Sequence, residues 1–222
     1  MRPKNQEVGM IPGLIPQKDG SFALSVELPE ARLSAEVLKV LSLLAAQGAI
    51  IHPTTAQKVM VLGLEEEQAK EALAQLEAAG ARIRKSGKSL QPRTCVGLPF
   101  CKLALQETFS LARAIYEAFP AEDLPHKFKI GVSGCPACCS WANVLDLGFV
   151  GVRDGFKVYV GGKGGYRPKE GLLVGKVKGI EEALEVTRRT LSLFRERGQK
   201  KKRFALVAHQ MSPDEIKEVL LG

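Results

Sequence analysis

Residues 127–139 read KFKIGVSGCPACC, and residues 95–101 read CVGLPFC. These two stretches contain every cysteine of the chain, namely Cys95, Cys101, Cys135, Cys138 and Cys139. An odd number of cysteines, in a sequence whose start lacks a signal-peptide pattern, argues against a disulfide framework. The clustering instead predicts a metal or redox centre held by two separate loops.

The spacing of the cysteines favours an iron–sulfur cluster. Five residues separate Cys95 from Cys101, and three separate Cys135 from Cys139. Two pairs of soft thiolates can supply the four sulfur ligands of such a cluster. Structural zinc remains an alternative, although its ligand pairs usually lie about two to four residues apart. Pairing Cys135 with Cys138 would also suit zinc, so the spacing alone leaves both metals open.

Composition places the chain among ordinary globular proteins. It has 222 residues, of which 45% are hydrophobic and 25% charged, which argues against disorder or a fibrous repeat. No stretch approaches the roughly 18 apolar residues of a membrane-spanning helix, so we expect a cytoplasmic protein without a membrane partner. The net charge of +8 suggests anionic partners. The basic run Lys200–Arg203 lacks interleaved aromatic residues, and we interpret it as a solvated linker, not a nucleic-acid site.

The first part of the chain predicts a ferredoxin-like unit over residues 21–86, after an N-terminal arm over residues 1–20. Alternating apolar residues predict strands, and apolar residues three and four apart predict helices. The predicted elements are strand 22–28, a helix capped by Ser34 and closed by Gly48, strands 49–52 and 59–62 joined by a turn at 52–55, helix 65–79 and strand 81–85. This β-α-β-β-α-β order is typical of helices on one face of an antiparallel sheet.

The second part predicts an α+β domain over residues 87–222. Residues 86–93 are interpreted as its linker, and an apolar stripe from Leu105 to Phe119 predicts a helix beginning just after Cys101. Further predicted elements are strands 127–132, 149–152, 157–160 and 172–177, helix 180–195, and a terminal helix that begins at the capping box Ser212–Glu215.

The cysteine stretches, followed by DLGFVG at 146–151 and VYVGGKGG at 158–165, resemble the sulfite and nitrite reductase family. The resemblance implies an α+β fold, in which a ferredoxin-like unit precedes a domain that binds siroheme and a [4Fe-4S] cluster. It implies that Cys95, Cys101, Cys135 and Cys139 hold the cluster, and that Cys139 also reaches the siroheme iron. Cys138 is extra to the family pattern, and we interpret it as a packing residue whose rival role is to replace Cys139 as ligand.

Two lysines are the candidate catalytic residues. Lys127 and Lys129 lie two apart on a predicted strand, so their side chains leave the same face. Paired ammonium groups suit a small oxyanion, because they attract its charge and can donate protons as oxygen leaves. On charge alone a solvated strand face is the simpler interpretation. The resemblance implies the catalytic one, since the family carries a Lys-x-Lys pair near its haem.

One segment departs from the family pattern. Residues 52–57 read HPTTAQ where the resemblance implies an Arg-x-Thr-x-Arg-Gln segment aimed at the substrate and the haem carboxylates. Thr54 and Gln57 match that pattern and are candidate cofactor contacts, whereas His52 and Ala56 replace the arginines. A neutral imidazole and a methyl group replace bidentate arginines poorly. We therefore expect another arginine to complete the site: Arg93, Arg82 or Arg84.

The resemblance implies a reductase that converts sulfite to sulfide in six electrons, supplied by a ferredoxin-like donor. Nitrite is the alternative substrate. A second hypothesis, motivated by the missing arginines, is a non-catalytic [4Fe-4S] electron-transfer or redox-sensing protein. A zinc-stabilised nucleic-acid-binding protein is the third. Because full-length family members contain two related halves, we also expect that this half-length chain could form a homodimer.

Overall fold

The computed structural model of the chain describes residues 11–85 and 89–222. The first ten residues of the predicted arm, and residues 86–88 of the predicted linker, lie outside this description. The chain divides into two units, one comprising residues 1–28 and 32–87 and the other residues 29–31 and 88–222. Each unit has its own buried apolar core.

The first unit is an antiparallel sheet with two helices. Its strands are β1 (Ile15–Pro16), β2 (Phe22–Glu27), β3 (Ile50–Pro53), β4 (Lys58–Leu64) and β5 (Arg82–Ile83), and its helices are α1 (Ala35–Ala46) and α2 (Glu66–Ala78). Strand β4 lies between β2 and β3, while β1 and β5 pair with the other edge of β2. The hydroxyl of Ser34 accepts from the Val37 amide at 3.2 Å and begins α1 as expected. The predicted ferredoxin-like order is confirmed.

Two details of this unit differ from the sequence-based expectation. Pro16 pairs with Phe22, so the predicted arm already contributes a strand to the sheet. Strand β3 continues through His52 and Pro53, and the turn follows at residues 54–57. The strand runs one residue further than the predicted strand 49–52, because Pro53 pairs with Val59 of β4.

The second unit is a five-stranded mixed sheet covered by helices. Its strands are β6 (Arg93–Thr94), β7 (Ile130–Ser133), β8 (Leu147–Val152), β9 (Gly155–Val160) and β10 (Leu172–Val177), and its helices are α3 (Phe109–Ala118), α4 (Ile180–Arg197), α5 (Ala205–Ala208) and α6 (Pro213–Leu221). The order is β10-β9-β8-β7-β6, in which β6, β7 and β8 are parallel. The reciprocal capping box of Ser212 and Glu215 begins α6 as expected.

Three expectations for this unit are wrong. Strand β7 begins at Ile130, not at Lys127, because the Lys129 amide donates to the Asp146 carboxylate and not to a neighbouring strand. Helix α3 begins at Phe109, because the chain before it forms turns and bonds to another loop. Residues 89–93 are not a linker, since Leu90 is buried in the core and Arg93 begins β6.

The core of the second unit includes three phenylalanines that contact one another. The ring centroid of Phe128 lies 5.8 Å from that of Phe194 and 5.6 Å from that of Phe204, and the last two lie 5.5 Å apart. Phe204 follows the basic run and is fully buried. The aromatic cluster therefore joins α4, the segment before β7 and the segment before α5. Among the described residues, no helix has both the length and the apolar character needed to cross a membrane.

Candidate functional site

Two loops bring the cysteines to one edge of the second sheet. The first cysteine loop, residues 95–106, follows β6, and the second cysteine loop, residues 133–140, begins at the last residue of β7. Because β6 and β7 are parallel neighbours, with Thr94 opposite Val132, both loops leave the sheet at the same end. The Cys95 amide continues this pairing by donating to the Val132 carbonyl at 3.2 Å.

Hydrogen bonds through Gly134 connect the two loops. The amides of Leu105 and Gln106 donate to the Gly134 carbonyl at 2.7 and 3.1 Å. The Gly134 amide in turn donates to the Sγ of Cys95 at 3.1 Å. An amide aimed at a sulfur stabilises negative charge on it, as around the thiolates of iron–sulfur centres. The first loop is therefore fixed directly beside Cys135, the residue after Gly134.

Glycines are required where the loops approach each other most closely. A Cβ added to Gly134 would lie 2.9 Å from the Gln106 carbonyl oxygen, and one added to Gly151 would lie 2.4 Å from the Gly134 carbonyl oxygen. Gly97 has φ of +57°, and a Cβ there would lie 2.5 Å from the Thr108 hydroxyl. The Thr108 hydroxyl is already committed to the Cys95 carbonyl at 2.6 Å. These contacts leave no room for a side chain.

The donor set, soft thiolates on two hydrogen-bonded loops, suits a [4Fe-4S] cluster. All five cysteines are free thiols, and none is fully buried. Within residues 11–85 and 89–222, no three His, Cys, Asp or Glu side chains lie close enough together to hold one metal ion. A zinc ion requires its ligands around one point. A [4Fe-4S] cube has one thiolate on each iron and so accepts sulfurs that are further apart.

Cys138 and Cys139 occupy different surroundings. The Sγ of Cys138 lies 3.3 Å from Oδ1 of Asn143 and accepts the Asn143 amide at 3.5 Å. Its backbone is left-handed, with φ of +55°, which turns the chain between the two cysteines. Cys139 is the exposed one of the five thiols. The Cys138 sulfur thus has a local partner in Asn143, whereas Cys139 is exposed. The interpretation of Cys138 as a packing residue stays a prediction.

The candidate catalytic lysines lie in the extended segment before β7. Phe128 is buried between them, so the side chains of Lys127 and Lys129 lie on the opposite side of the segment from the core. Lys127 is exposed and Lys129 half-buried. Burial lowers the pKa of Lys129, and the neighbouring cations Arg93, Arg203 and Lys127 lower it further. The two lysines therefore lie on the face opposite to Phe128, as expected for a strand, although the segment does not pair with a neighbouring strand.

Arg93 lies among the same cations. Its guanidinium carbon is 5.3 Å from the centre of the Trp141 ring, a cation–π distance. Burial lowers the pKa of Arg93, and the charge of Arg203 acts in the same direction. Trp141 directly follows the second cysteine loop and is half exposed. Arg93 therefore contacts the residue after Ser140 of the second cysteine loop, and its charge acts on Lys129. Its role as the site-completing arginine stays a prediction.

Arg203 is the residue that sequence reasoning missed. Its Nε donates to Oδ1 of Asp146 at 3.1 Å, and its Nη2 contacts Oδ2 of the same carboxylate. Asp146 is fully buried, and the Arg203 side chain is only 14% exposed. The interpretation of residues 200–203 as a solvated linker is therefore wrong for Arg203, although Lys200, Lys201 and Lys202 are exposed. The only sequence signal was the single aspartate that begins DLGFVG.

A basic cleft of about 880 Å³ opens beside this cationic group. Its charged lining includes Lys127, Lys163, Arg167, Lys169, Lys201, Lys202 and Arg203. Among the described residues that line it there is no carboxylate and no cysteine. Its volume lies within the usual range for cofactor pockets, and its charge suits a polyanion. In the glycine-rich segment, Gly164 lines this cleft, whereas Gly161 is packed against the Ala208 side chain.

Thr54 and Gln57 lie in the first unit, in the turn between β3 and β4. The Thr54 hydroxyl donates to the Lys58 carbonyl at 3.1 Å and accepts the Lys58 amide at 3.2 Å. Gln57 is left-handed, with φ of +55°. His52, in β3, is exposed. The hydroxyl of Thr54 thus shapes the turn, and any role toward a cofactor remains a prediction.

Comparison with protein families covers both units. Residues 15–79 match a "Nitrite/Sulfite reductase ferredoxin-like half domain", and residues 86–222 match a "Nitrite and sulphite reductase 4Fe-4S domain". The chain belongs to the nitrite and sulphite reductase family. The expected family, the α+β fold and the [4Fe-4S] cluster are thereby confirmed, and siroheme is the tetrapyrrole typical of the same reductases.

Individual relatives within this reductase family differ greatly in length. The chain is 31% identical over 183 residues to a nitrite reductase [NAD(P)H] of Bacillus subtilis, covering 81% of this chain but 22% of that protein. It is 31% identical over 167 residues to a ferredoxin–nitrite reductase of Synechococcus elongatus, covering 69% and 32%. An assimilatory-type sulfite reductase of Nitratidesulfovibrio vulgaris is 27% identical over 214 residues, covering 95% and 97%.

A solved structure has the same fold. The NirA protein of Mycobacterium tuberculosis matches with a TM-score of 0.76 at 24% identity, over 92% of this chain and 41% of that one. The chain thus spans less than half of that protein and about a fifth of the B. subtilis nitrite reductase, but nearly all of the N. vulgaris sulfite reductase.

Proposed function

We propose that this protein is a siroheme- and [4Fe-4S]-dependent reductase that converts sulfite to sulfide. The observation that carries the proposal is the direct hydrogen bonding of the two cysteine loops, with the Gly134 amide on the Cys95 sulfur. The coverage of an assimilatory-type sulfite reductase along almost its whole length supports the choice of sulfite. The reaction takes up six electrons and six protons per sulfite and releases three waters with the sulfide.

The four ligand cysteines of the proposal are Cys95, Cys101, Cys135 and Cys139. When bound, the cluster and the siroheme supply low-potential electrons one at a time to the substrate. The exposed thiol of Cys139 is the one proposed to join the two groups. Arg93, Thr54 and Gln57 are proposed to contact siroheme carboxylates. The cations around Arg93 support its assignment, since a polycarboxylate requires positive charge beside it.

Lys127 and Lys129 are proposed to bind and protonate the oxyanion. Their ammonium groups carry the positive charge that a dianion requires, and each can donate a proton as an oxygen leaves as water. Burial and neighbouring cations lower the pKa of Lys129, so its ammonium gives up a proton more readily than that of an exposed lysine. Lys129 is therefore the better proton donor of the two.

Nitrite is the second candidate substrate, because two of the compared relatives are named nitrite reductases. Its reduction to ammonia takes six electrons and seven protons and releases two waters, so the same lysines would serve. The name of the S. elongatus relative supports a ferredoxin-like electron donor for this chain. A homodimer, a cytoplasmic location and the absence of nucleic-acid and membrane partners stay as predictions.

Anaerobic purification tests the proposal directly. We expect about four iron and four sulfide ions per chain, together with the visible absorption of a tetrapyrrole that changes when sulfite or nitrite is added. With a reduced low-potential donor, sulfite should be consumed with a higher kcat/KM than nitrite. A cluster without tetrapyrrole absorption or turnover would instead support the electron-transfer alternative, and zinc without sulfide would contradict both.

Replacing Lys129 by methionine tests the oxyanion site. A charge-assisted hydrogen bond is worth about 1.5–3 kcal/mol, so the affinity for sulfite should fall about 10- to 100-fold. In the unchanged protein, affinity should fall as the pH rises through the lowered pKa of Lys129, because the neutral amine no longer attracts the anion. Calorimetric titration with sulfite measures both effects. The exposed Lys157 of β9, changed to methionine, is the control, and an equal loss there would contradict the assignment.

A further inference from the structure

The segment 127–129 is fixed on its core side by an aromatic contact. Phe128 contacts Phe204, which is fully buried and directly follows Arg203. The Lys201 amide also donates to the carbonyl of Pro125 at 3.3 Å. Residues 201–204 therefore lie along residues 125–128, which they contact at Pro125 and at Phe128. This arrangement brings residues 201–203 of the basic run to the proposed oxyanion site.

Asp146 joins the two segments through its carboxylate. Oδ2 accepts the Lys129 amide at 2.8 Å, and both carboxylate oxygens accept from the guanidinium of Arg203. The backbone on the other side of Lys129 is held as well, because its carbonyl accepts the Leu147 amide at 3.2 Å. The main chain of Lys129 is thus fixed by one buried carboxylate and by the residue that follows that carboxylate.

The Asp146 carboxylate depends on Arg203 to stay ionised and to keep accepting the Lys129 amide. Burial raises the pKa of Asp146, and the Arg203 guanidinium opposes this rise through its hydrogen bonds and charge. A buried carboxylate whose cationic partner has been removed is strongly destabilised. It then takes up a proton or moves toward water, and either change weakens its bond to the Lys129 amide. The position of Lys129 therefore depends on a residue 74 places later in the chain.

We propose that Arg203 is a positioning residue for the oxyanion site: acting through Asp146, it fixes the backbone of Lys129 and so holds the two lysine ammonium groups at one anion. This inference rests on the proposed function, since it assigns Arg203 to the same site. Four charged groups act on the Lys129 ammonium, namely Arg93, Arg203, Lys127 and Asp146. Asp146 also offsets part of the repulsion among the cations, which lets them stay together when no anion is bound.

Variants of both partners test the proposal in the purified holoprotein. We expect Arg203→Gln and Asp146→Asn each to weaken calorimetric sulfite binding at least about tenfold while iron and sulfide contents stay unchanged. Arg113→Gln is the matched control. It breaks another arginine–carboxylate pair of this unit, in which Arg113 donates from Nε at 2.5 Å and from Nη2 at 2.9 Å to the buried Glu30. Its sulfite affinity should equal that of the unchanged protein.

A second readout does not depend on sulfite binding. Competitive acetylation across pH, followed by mass spectrometry, reports the pKa of Lys129. Arg203→Gln removes a charge that lowers this pKa and should raise it, whereas Asp146→Asn removes a charge that raises it and should lower it. Local unfolding would instead expose Lys129 and raise its pKa in both variants. Opposite shifts therefore support the proposed geometry, and shifts of the same sign overturn it.

The outcomes also separate this inference from the proposed function. If the unchanged protein neither binds nor reduces sulfite or nitrite, the proposed function fails, while the labelling experiment still decides whether the charges of Arg203 and Asp146 both lie beside Lys129. If Arg203→Gln weakens sulfite binding but Asp146→Asn does not, Arg203 contacts the anion itself and the positioning role is overturned. Unchanged affinity in both variants overturns it as well.

Discussion

Replacing Cys139 by alanine is expected to remove the iron–sulfur cluster and the siroheme together, whereas replacing Cys138 by alanine should leave both in place. Cys139 presents an exposed thiol at the end of the second cysteine loop. The Cys138 sulfur is engaged by the side chain and the amide of Asn143. Iron and acid-labile sulfide should fall from about four each per chain to near zero only in Cys139→Ala.

Visible absorption of the anaerobically purified variants provides the second measurement. Alanine is preferred to serine because a serine oxygen could still coordinate iron. Cys138→Ala also serves as the matched control, since it removes the same thiol from the neighbouring residue. Loss of the cluster in Cys138→Ala, with retention in Cys139→Ala, would reverse the ligand assignment and would mean that Asn143 leaves the Cys138 sulfur when the cluster binds.

Gly151→Ala is expected to separate the two cysteine loops. The new methyl group would lie 2.4 Å from the Gly134 carbonyl oxygen, the same atom that accepts from the amides of Leu105 and Gln106. Gln106 cannot easily move, because its side-chain amide donates to the Val152 carbonyl at 2.7 Å. Overpacking of this kind typically lowers the free energy of unfolding by about 1–3 kcal/mol. Because the new methyl group would meet backbone atoms, we expect a loss at the upper end of this range. Cluster occupancy should fall severalfold, since Gly134 also donates to Cys95.

The control for this substitution is Gly179→Ala. A Cβ at Gly179 would meet no atom within 4 Å, and its backbone is extended, with φ of −162°. The two variants therefore add the same methyl group with and without a clash. Thermal unfolding and iron content measure the difference. Equal iron content in Gly151→Ala and the unchanged protein would contradict the role of the Gly134 bridge.

Local sequence patterns predicted most of the elements and missed their ends. The capping hydroxyls of Ser34 and Ser212 begin helices as expected, since a cap acts on amides three residues away. Helix α3 begins later than its apolar stripe suggested, because Leu105 donates to Gly134 in another loop. Lys127 and Lys129 precede the strand in which they were expected, because the buried Asp146 takes the Lys129 amide. In both cases a distant partner overrode local propensity.

In the candidate site, too, some features were predicted from local sequence and others depend on distant contacts. Cysteine spacing alone left iron–sulfur and zinc open, whereas the cysteines with their flanking residues were sufficient for the resemblance to the family, which implied the iron–sulfur cluster. The contribution of Arg203 was hidden in a run of basic residues, where charge alone suggests solvation. Its partner Asp146 lies 57 residues away, and tertiary packing, including that of Phe204 against Phe128, brings the two together.

The amino-acid order by itself therefore predicted which residues this protein offers to a cluster and to an anion, and it determined where helices are capped, because thiolates, ammonium groups and helix caps act over a few neighbouring positions. Only the tertiary structure decided how those residues are held: which cysteine sulfur is already engaged, which glycines allow the loops to touch, and which arginine balances the buried carboxylate. Such contacts join segments far apart in the chain, and burial determines their strength.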